Sequence, residues 1–250
     1  MSYTNYIRDG RLCWTLTSNG YKYLTWNFYK SWSKAHPEQP LLILCADTSV
    51  HLFFRREGVP AVLAKGRLPD YGPAIVQFGS SNFKTLNALK LQLLADFAKD
   101  SAIETCVYLD GDIVVYRPFL ADIFTRLQEH PLWFQCDEQT RECTGFDATG
   151  CPHVCTGLIA FRHGIDARIF QLTAQDQALW VKGSEQDQPY VNARIREFGI
   201  VAKTLPVADY PNGIRMTQRS GAALLHYNYL VGNQKVGMMK RNGDWFVVQL

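Results

Sequence analysis

Absences narrow the reading first. Across 250 residues no apolar stretch approaches the length of a membrane-spanning helix, and the opening MSYTNYIRDGRLCW lacks the apolar core of a signal peptide. The expectation is a cytoplasmic protein without a transmembrane segment, with a secretory-pathway origin of a trimmed chain left open. Charge excess is also small. The formal net charge of +3 is too weak to make nucleic acid the main partner, so no nucleic-acid contact is expected. Low-complexity tracts, blocks of like charge and internal repeats are absent as well, which excludes repeat arrays and charged tails. No linker rich in Pro, Gly or Ser divides the chain. With 47% hydrophobic and 20% charged residues it is long enough for one large core, and residues 1–250 read as a single domain.

The seven cysteines lack a close C-x₂-C pair, so their spacing fits no standard zinc pattern. Cys45 and Cys106 sit in apolar runs and read as small buried hydrophobes. Cys136, Cys143, Cys151 and Cys155, with His153 among them, leave three readings open: free thiols, disulfides stapling a loop, or metal ligands.

What is present alternates. LLILCAD from Leu41, VPAVLA from Val59, TCVYLD from Thr105, LWFQCD from Leu132 and TGLIAF from Thr156 read as strands. VAKTLP from Val201 and AALLHY from Ala222 are further candidates. Between them lie helical patterns, one from Tyr21 to Ala35 marked by Leu24, Phe28 and Trp32, another from Phe83 to Lys99 marked by Leu86, Leu89, Leu93 and Phe97. Such alternation predicts an α/β fold with a mostly parallel, Rossmann-like sheet covered by helices on both faces. Ligands bind such sheets at the carboxyl ends of the strands, where the chain puts Asp47, Asp110 and Asp137.

Four segments carry chemistry. In VYLDGDIVVYRPF a hydrophobic run ends in Asp110-Gly111-Asp112. Residues two apart in extended chain face one side, so both carboxylates are expected to converge on a cation, and Gly111 lets another group approach the backbone. Two hard oxygen ligands suit Mg²⁺ or Mn²⁺ holding a diphosphate. In TLTSNGYKYLTWNFYKSW, a turn of Thr15, Thr17, Asn19, Gly20 and Tyr21 offers hydroxyls and backbone N–H groups to a nucleotide. SEQDQPYVNARI opens an amphipathic segment with Asp187 and Gln188. LLHYNYLVGNQKVG supplies His226 at the end of an apolar run, then Gly232 and Lys235 in a flexible loop.

Taken in order, these motifs resemble the nucleotide-diphospho-sugar transferases of the GT-A fold, the group typified by glycosyltransferase family 77 and related to family 8. The resemblance runs from Thr15 to Trp245 through T-x-T-x-x-x-Y, D-x-D, Thr156-Gly157, Asp187-Gln188 and the sequence His226, Gly232, Lys235, Gly243, Trp245. It implies a metal-dependent, retaining glycosyltransferase that moves sugar from a UDP- or GDP-sugar donor to a glycan, protein or small-molecule acceptor. It further implies Asp110, Asp112 and His226 as ligands of Mn²⁺ (or Mg²⁺), and Gly232 and Lys235 as a loop closing over the diphosphate. Thr15, Thr17, Asn19, Gly20 and Tyr21 resemble the nucleoside pocket. The resemblance also implies that Asp110, Gly111 and Lys90 face the donor, and that Asp187 and Gln188 are the catalytic pair near the anomeric carbon. An amide is no nucleophile, whereas Asp187 could form a covalent intermediate if it lay beneath the anomeric carbon. The favoured expectation is same-face substitution through an oxocarbenium-like state, with Gln188 supporting it and Asp187 contacting sugar or acceptor.

The chain departs from many such relatives in Cys155-Thr156-Gly157, where they have Asn-Thr-Gly, and in His226-Tyr227-Asn228-Tyr229 after the metal histidine. A phosphohydrolase of the haloacid dehalogenase type also ends a strand in D-x-D, but needs a downstream Gly-Asp-x-x-x-Asp, and Gly243-Asp244 is followed by Trp245, Phe246, Val247 and Val248. The other alternative is a non-catalytic nucleotide-sugar or glycan-binding protein of the same fold.

Overall fold

A computed structural model of the chain describes residues 3–64, 80–137, 153–173, 175–176, 180, 186–213 and 220–247. It is built on β1 (Arg11–Thr17), whose residues are all buried after the first. A strand so uniformly covered belongs in the middle of a sheet with helices on both faces. Helix α1 (Lys22–Ala35) follows and stops at His36, because Pro37 disfavours helical backbone in the residue before it. Then come β2 (Leu41–Cys45), α2 (Thr48–Arg56), β3 (Ala61–Leu63), α3 (Ser81–Lys99), β4 (Thr105–Leu109) and β5 (Ile113–Val115). The remainder adds α4 (Leu120–Glu129), β6 (Leu132–Cys136), β7 (Val154–Arg162), α5 (Asp187–Glu197), β8 (Lys203–Thr204), β9 (Leu224–His226) and α6 (Asn233–Arg241). No helix among the described residues is long and apolar enough to cross a membrane.

The main sheet has the order β3-β2-β1-β4-β7-β6-β8. Its pairs are parallel except at β7, which runs against both β4 and β6. That reversal matters for the site. The parallel strands present their carboxyl ends at one edge, and β7 brings its beginning, Cys155-Thr156-Gly157, to the same edge. Helices fill both faces: Leu12, Trp14 and Leu16 pack with α3 and α5, while Cys13, Ile43 and Val107 pack with α1, α2 and α4. A separate ribbon pairs β5 with β9, placing Ile113 opposite His226.

Two helix starts have local causes. Ser80 caps α3 by accepting from the Phe83 N–H at 3.3 Å, and Asp47 caps α2 through the Val50 N–H at 2.8 Å. The strand-end Asp47 is thereby explained as a cap. The sequence pattern missed α2, α4 and α6. It also placed Gly232 and Lys235 in a flexible loop. Gly232 instead precedes α6 at φ +55°, a conformation open to glycine, and Lys235 is buried in that helix's first turn.

His36 gives a prediction about the fold itself. Its ring lies between Trp32 (4.7 Å between centroids) and Phe119 (4.8 Å), and Nε2 has no hydrogen-bond partner. Burial lowers its pKa to about 4. A base whose folded pKa is depressed stays neutral while the unfolded chain takes up a proton. Stability is therefore lost as pH falls from about 6.5, levelling off near 4. Urea midpoints measured across that window should fall less steeply for His36→Leu than for wild type; parallel curves would assign the acid sensitivity elsewhere.

Candidate active site

Asp110, Gly111 and Asp112 form the turn between β4 and β5, with the Ile113 N–H donating to the Asp110 carbonyl at 3.3 Å. The two carboxylates therefore do not converge through the two-residue period of extended chain, as the sequence suggested; the turn aims them. It holds because Gly111 has no side chain. A Cβ there would lie 2.3 Å from Thr25 Oγ1 on α1, so the group that approaches this backbone is the protein's own threonine. Thr25 in turn donates to Thr17 Oγ1 at 2.8 Å.

The β5–β9 ribbon supplies the third member. His226 Nε2 lies 3.2 Å from Asp112 Oδ1 and 3.6 Å from Asp110 Oδ2. One ligand atom from each of Asp110, Asp112 and His226 falls within 4.8 Å of the others, a group able to hold a metal ion. Two carboxylates and an imidazole suit a divalent cation of intermediate hardness. Lys235 pairs with the second oxygen of Asp112. Burial alone would raise the pKa of Asp112, but Lys235 and His226 outweigh it and hold the carboxyl well below its ordinary range. For His226, burial is likewise outweighed by Asp112, and its pKa rises to about 10.

Behind this group sits a second buried cluster. Lys90 on α3 pairs with Asp187, reaches Asp110 Oδ1 at 3.5 Å and donates to the Thr156 carbonyl at 3.2 Å, with its ammonium 4.9 Å above the Tyr108 ring. Burial disfavours the Lys90 charge, yet Asp110 and Asp187 raise its pKa overall. Asp187 also accepts from Thr156 Oγ1 at 2.7 Å, and its pKa is lowered because Lys90 outweighs the cost of burial. Gln188 points elsewhere: its amide donates to Asp137 Oδ2 at 2.8 Å, and Asp137 also meets His153 Nδ1 at 2.7 Å and the Tyr229 hydroxyl at 2.8 Å.

These groups line a cavity of about 1190 Å³. Of the residues singled out from sequence, Tyr21, Lys90, Asp110, Gly111, Asp112, Asp187, Gln188, His226, Gly232 and Lys235 line it. Thr15, Thr17, Asn19 and Gly20 are not among its lining residues. Thr15 and Thr17 are fully buried on β1, with Leu16 between them facing the cavity. The Asn19 N–H donates to Asp47 Oδ2 at 2.8 Å, and Gly20 lies within the short 3-10 turn Asn19–Tyr21. Sequence reasoning passed over Gln135, whose amide oxygen lies 2.8 Å from His226 Nδ1, and noted Asp137 only as a strand end. A lone amide inside the apolar run Leu132–Cys136 was the available signal for the first.

Of the cysteine cluster, Cys155 is a buried free thiol 3.8 Å from His226 Nδ1. Cys136 is buried at the end of β6, and His153 is engaged by Asp137. Cys143 and Cys151 lie outside the described residues.

No protein-family model matches the chain, and no curated protein matches it. Solved structures do. The galactosyltransferase LgtC, in complex with donor and acceptor sugar analogs, superposes with a TM-score of 0.57 at 15% identity, covering 96% of this chain and 97% of LgtC. An LgtC variant with an active-site glutamine changed to glutamate gives 0.55 at 13% identity, with the same coverage of both chains. At this level of identity the likeness speaks for architecture, and the resemblance drawn from the motifs is met there: the chain has the GT-A fold.

Proposed function

We propose that this chain is a metal-dependent glycosyltransferase that moves a sugar from a nucleoside-diphosphate sugar, UDP- or GDP-linked, to a hydroxyl acceptor with retention of anomeric configuration. The observation that carries the reading is the Asp110–Asp112–His226 group on the wall of a large cavity at the carboxyl edge of a GT-A sheet. Those residues would hold Mn²⁺ or Mg²⁺, which when bound offsets the charge of a departing diphosphate. Lys235 adds a cation, and the N-terminus of α6, whose first residues line the cavity, turns the positive end of the helix dipole towards phosphate oxygens.

Gln188 is the member of the catalytic pair suited to meet the sugar. Its amide nitrogen is held by Asp137, which fixes the side chain at the cavity wall and leaves the amide oxygen to support positive charge at an anomeric carbon. Asp187 is occupied by Lys90 and Thr156, an arrangement that favours holding Lys90 in place over acting as a nucleophile. LgtC also has a glutamine in its active site, which agrees in kind with Gln188.

The test is thermal melting with UDP or GDP, with and without Mn²⁺, on wild type and Asp112→Asn, followed by assay of nucleoside-diphosphate release from the matching sugar nucleotides. Ligand at about a hundred times its dissociation constant adds roughly 2.7 kcal/mol, or about 5–10 °C for a chain of this size. The expected result is a shift that needs both metal and one nucleotide, is lost in Asp112→Asn, and is accompanied by turnover. A shift without turnover on any sugar would point to a binding protein of the same fold. An inverted product anomer would sink the retaining mechanism.

A further inference from the structure

His226 is held from behind by a residue that the catalytic scheme does not use. Gln135 lies on β6, fully buried, beside a register shift between Phe134 and Gln135 where β6 pairs with β7. Such bulges re-aim a side chain. Here the amide nitrogen donates to the carbonyls of Tyr210 and Pro211, both at 3.0 Å, and the amide oxygen lies 2.8 Å from His226 Nδ1. The Pro211 carbonyl also accepts from the His226 backbone N–H at 3.2 Å, so Gln135, Pro211 and His226 form a closed ring of contacts.

That geometry decides which histidine nitrogen keeps its proton when the ring is neutral. With both amide hydrogens committed to carbonyls, the face that Gln135 turns to the ring is an acceptor. Nδ1 must therefore be N–H, and it donates. In the neutral ring that a metal requires, the lone pair is then on Nε2, the nitrogen facing Asp110 and Asp112.

We propose that Gln135 is a positioning residue that fixes His226 as an Nε2 donor and thereby makes the site prefer metals that accept nitrogen, Mn²⁺ over Mg²⁺. The inference rests on the metal reading of the site. Mg²⁺ is bound mainly through oxygen and depends on the two aspartates, whereas Mn²⁺ gains from the imidazole. Without Gln135 the ring is free to rotate or to move its proton to Nε2, and only the carboxylates remain as ligands.

The experiment compares wild type with Gln135→Met, which keeps the length and removes the hydrogen bonds. Mn²⁺ binding is followed by the electron paramagnetic resonance of the free ion, and Mg²⁺ binding by competition. Loss of an outer partner to a metal histidine typically costs about 10–100-fold in affinity. That loss is expected for Mn²⁺, against less than roughly threefold for Mg²⁺, which keeps its oxygen ligands. A folded Gln135→Met protein with an unchanged ratio of the two affinities overturns the inference, since general loosening would weaken both alike. Wild type that binds neither ion removes the metal reading itself, and the inference with it. Should the variant fail to fold, ¹⁵N–¹H long-range NMR of the wild-type imidazole with Cd²⁺ decides: a proton on Nδ1 supports the assignment, and a proton on Nε2 refutes it.

Discussion

Gly157→Ala is expected to cut the proposed metal-dependent activity by about a hundredfold or more, although the residue is neither charged nor catalytic. A Cβ at this position would lie 1.9 Å from His226 Cε1 and 2.5 Å from its Nδ1. The ring has nowhere easy to go, with Gln135 behind it and Asp112 in front. Displacing it by about 1 Å breaks the convergence on which metal binding depends, and overpacking adds about 1–3 kcal/mol of destabilisation. Gly237→Ala in α6 is the matched control, since its nearest neighbour is an Arg241 nitrogen at 3.8 Å. A mid-helix glycine changed to alanine should be neutral or gain about 0.5–1 kcal/mol. Mn²⁺ titration and urea unfolding of both variants check the pair. Wild-type metal affinity in a folded Gly157→Ala protein would refute the steric account.

The second large effect concerns stability. Lys90→Met is expected to cost about 3–5 kcal/mol, because it leaves Asp187 buried with its charge uncompensated. Replacing both partners in Lys90→Met/Asp187→Leu should recover much of that loss, since apolar residues of similar size often serve a core as well as an ion pair. Activity should not return with it, as the cavity would have lost its deep ammonium. Urea midpoints for the two single variants and the double variant give the coupling. A double variant no more stable than the worse single one would mean that the pair is not the unit that holds this region together.

Much of this site was legible in the residues. Two aspartates around a glycine at the end of an apolar run, a histidine at the end of another, and an Asp-Gln pair opening a helical segment each have a local signature. The reason for their meeting was not local. Asp110 and Asp112 were expected to align by strand periodicity, but a turn aligns them, and that turn depends on Thr25 fitting where Gly111 has no side chain. Lys235 is 123 residues from Asp112, so no window of sequence could show that they touch. Gln135 reads as part of a buried strand, and its partners Tyr210 and His226 stand 75 and 91 positions away. Thr15 and Thr17 differ again: their motif runs to the carboxyl edge of the sheet, yet both residues are fully buried, and Thr17 accepts from Thr25.

The ribbon of β5 and β9 has a consequence for how the chain reaches its working form. Ile113 stands opposite His226 in this pairing. In extended chain a slip of one residue turns every side chain to the opposite face. A misaligned ribbon would point His226 away from the aspartates and offer them Leu225 or Tyr227, neither of which suits a hard cation. The ion-binding group is thus complete in one alignment of two three-residue strands. Any divalent ion that binds there favours that alignment over its neighbours, so the cation would act as a proofreader of the fold as well as a participant in chemistry.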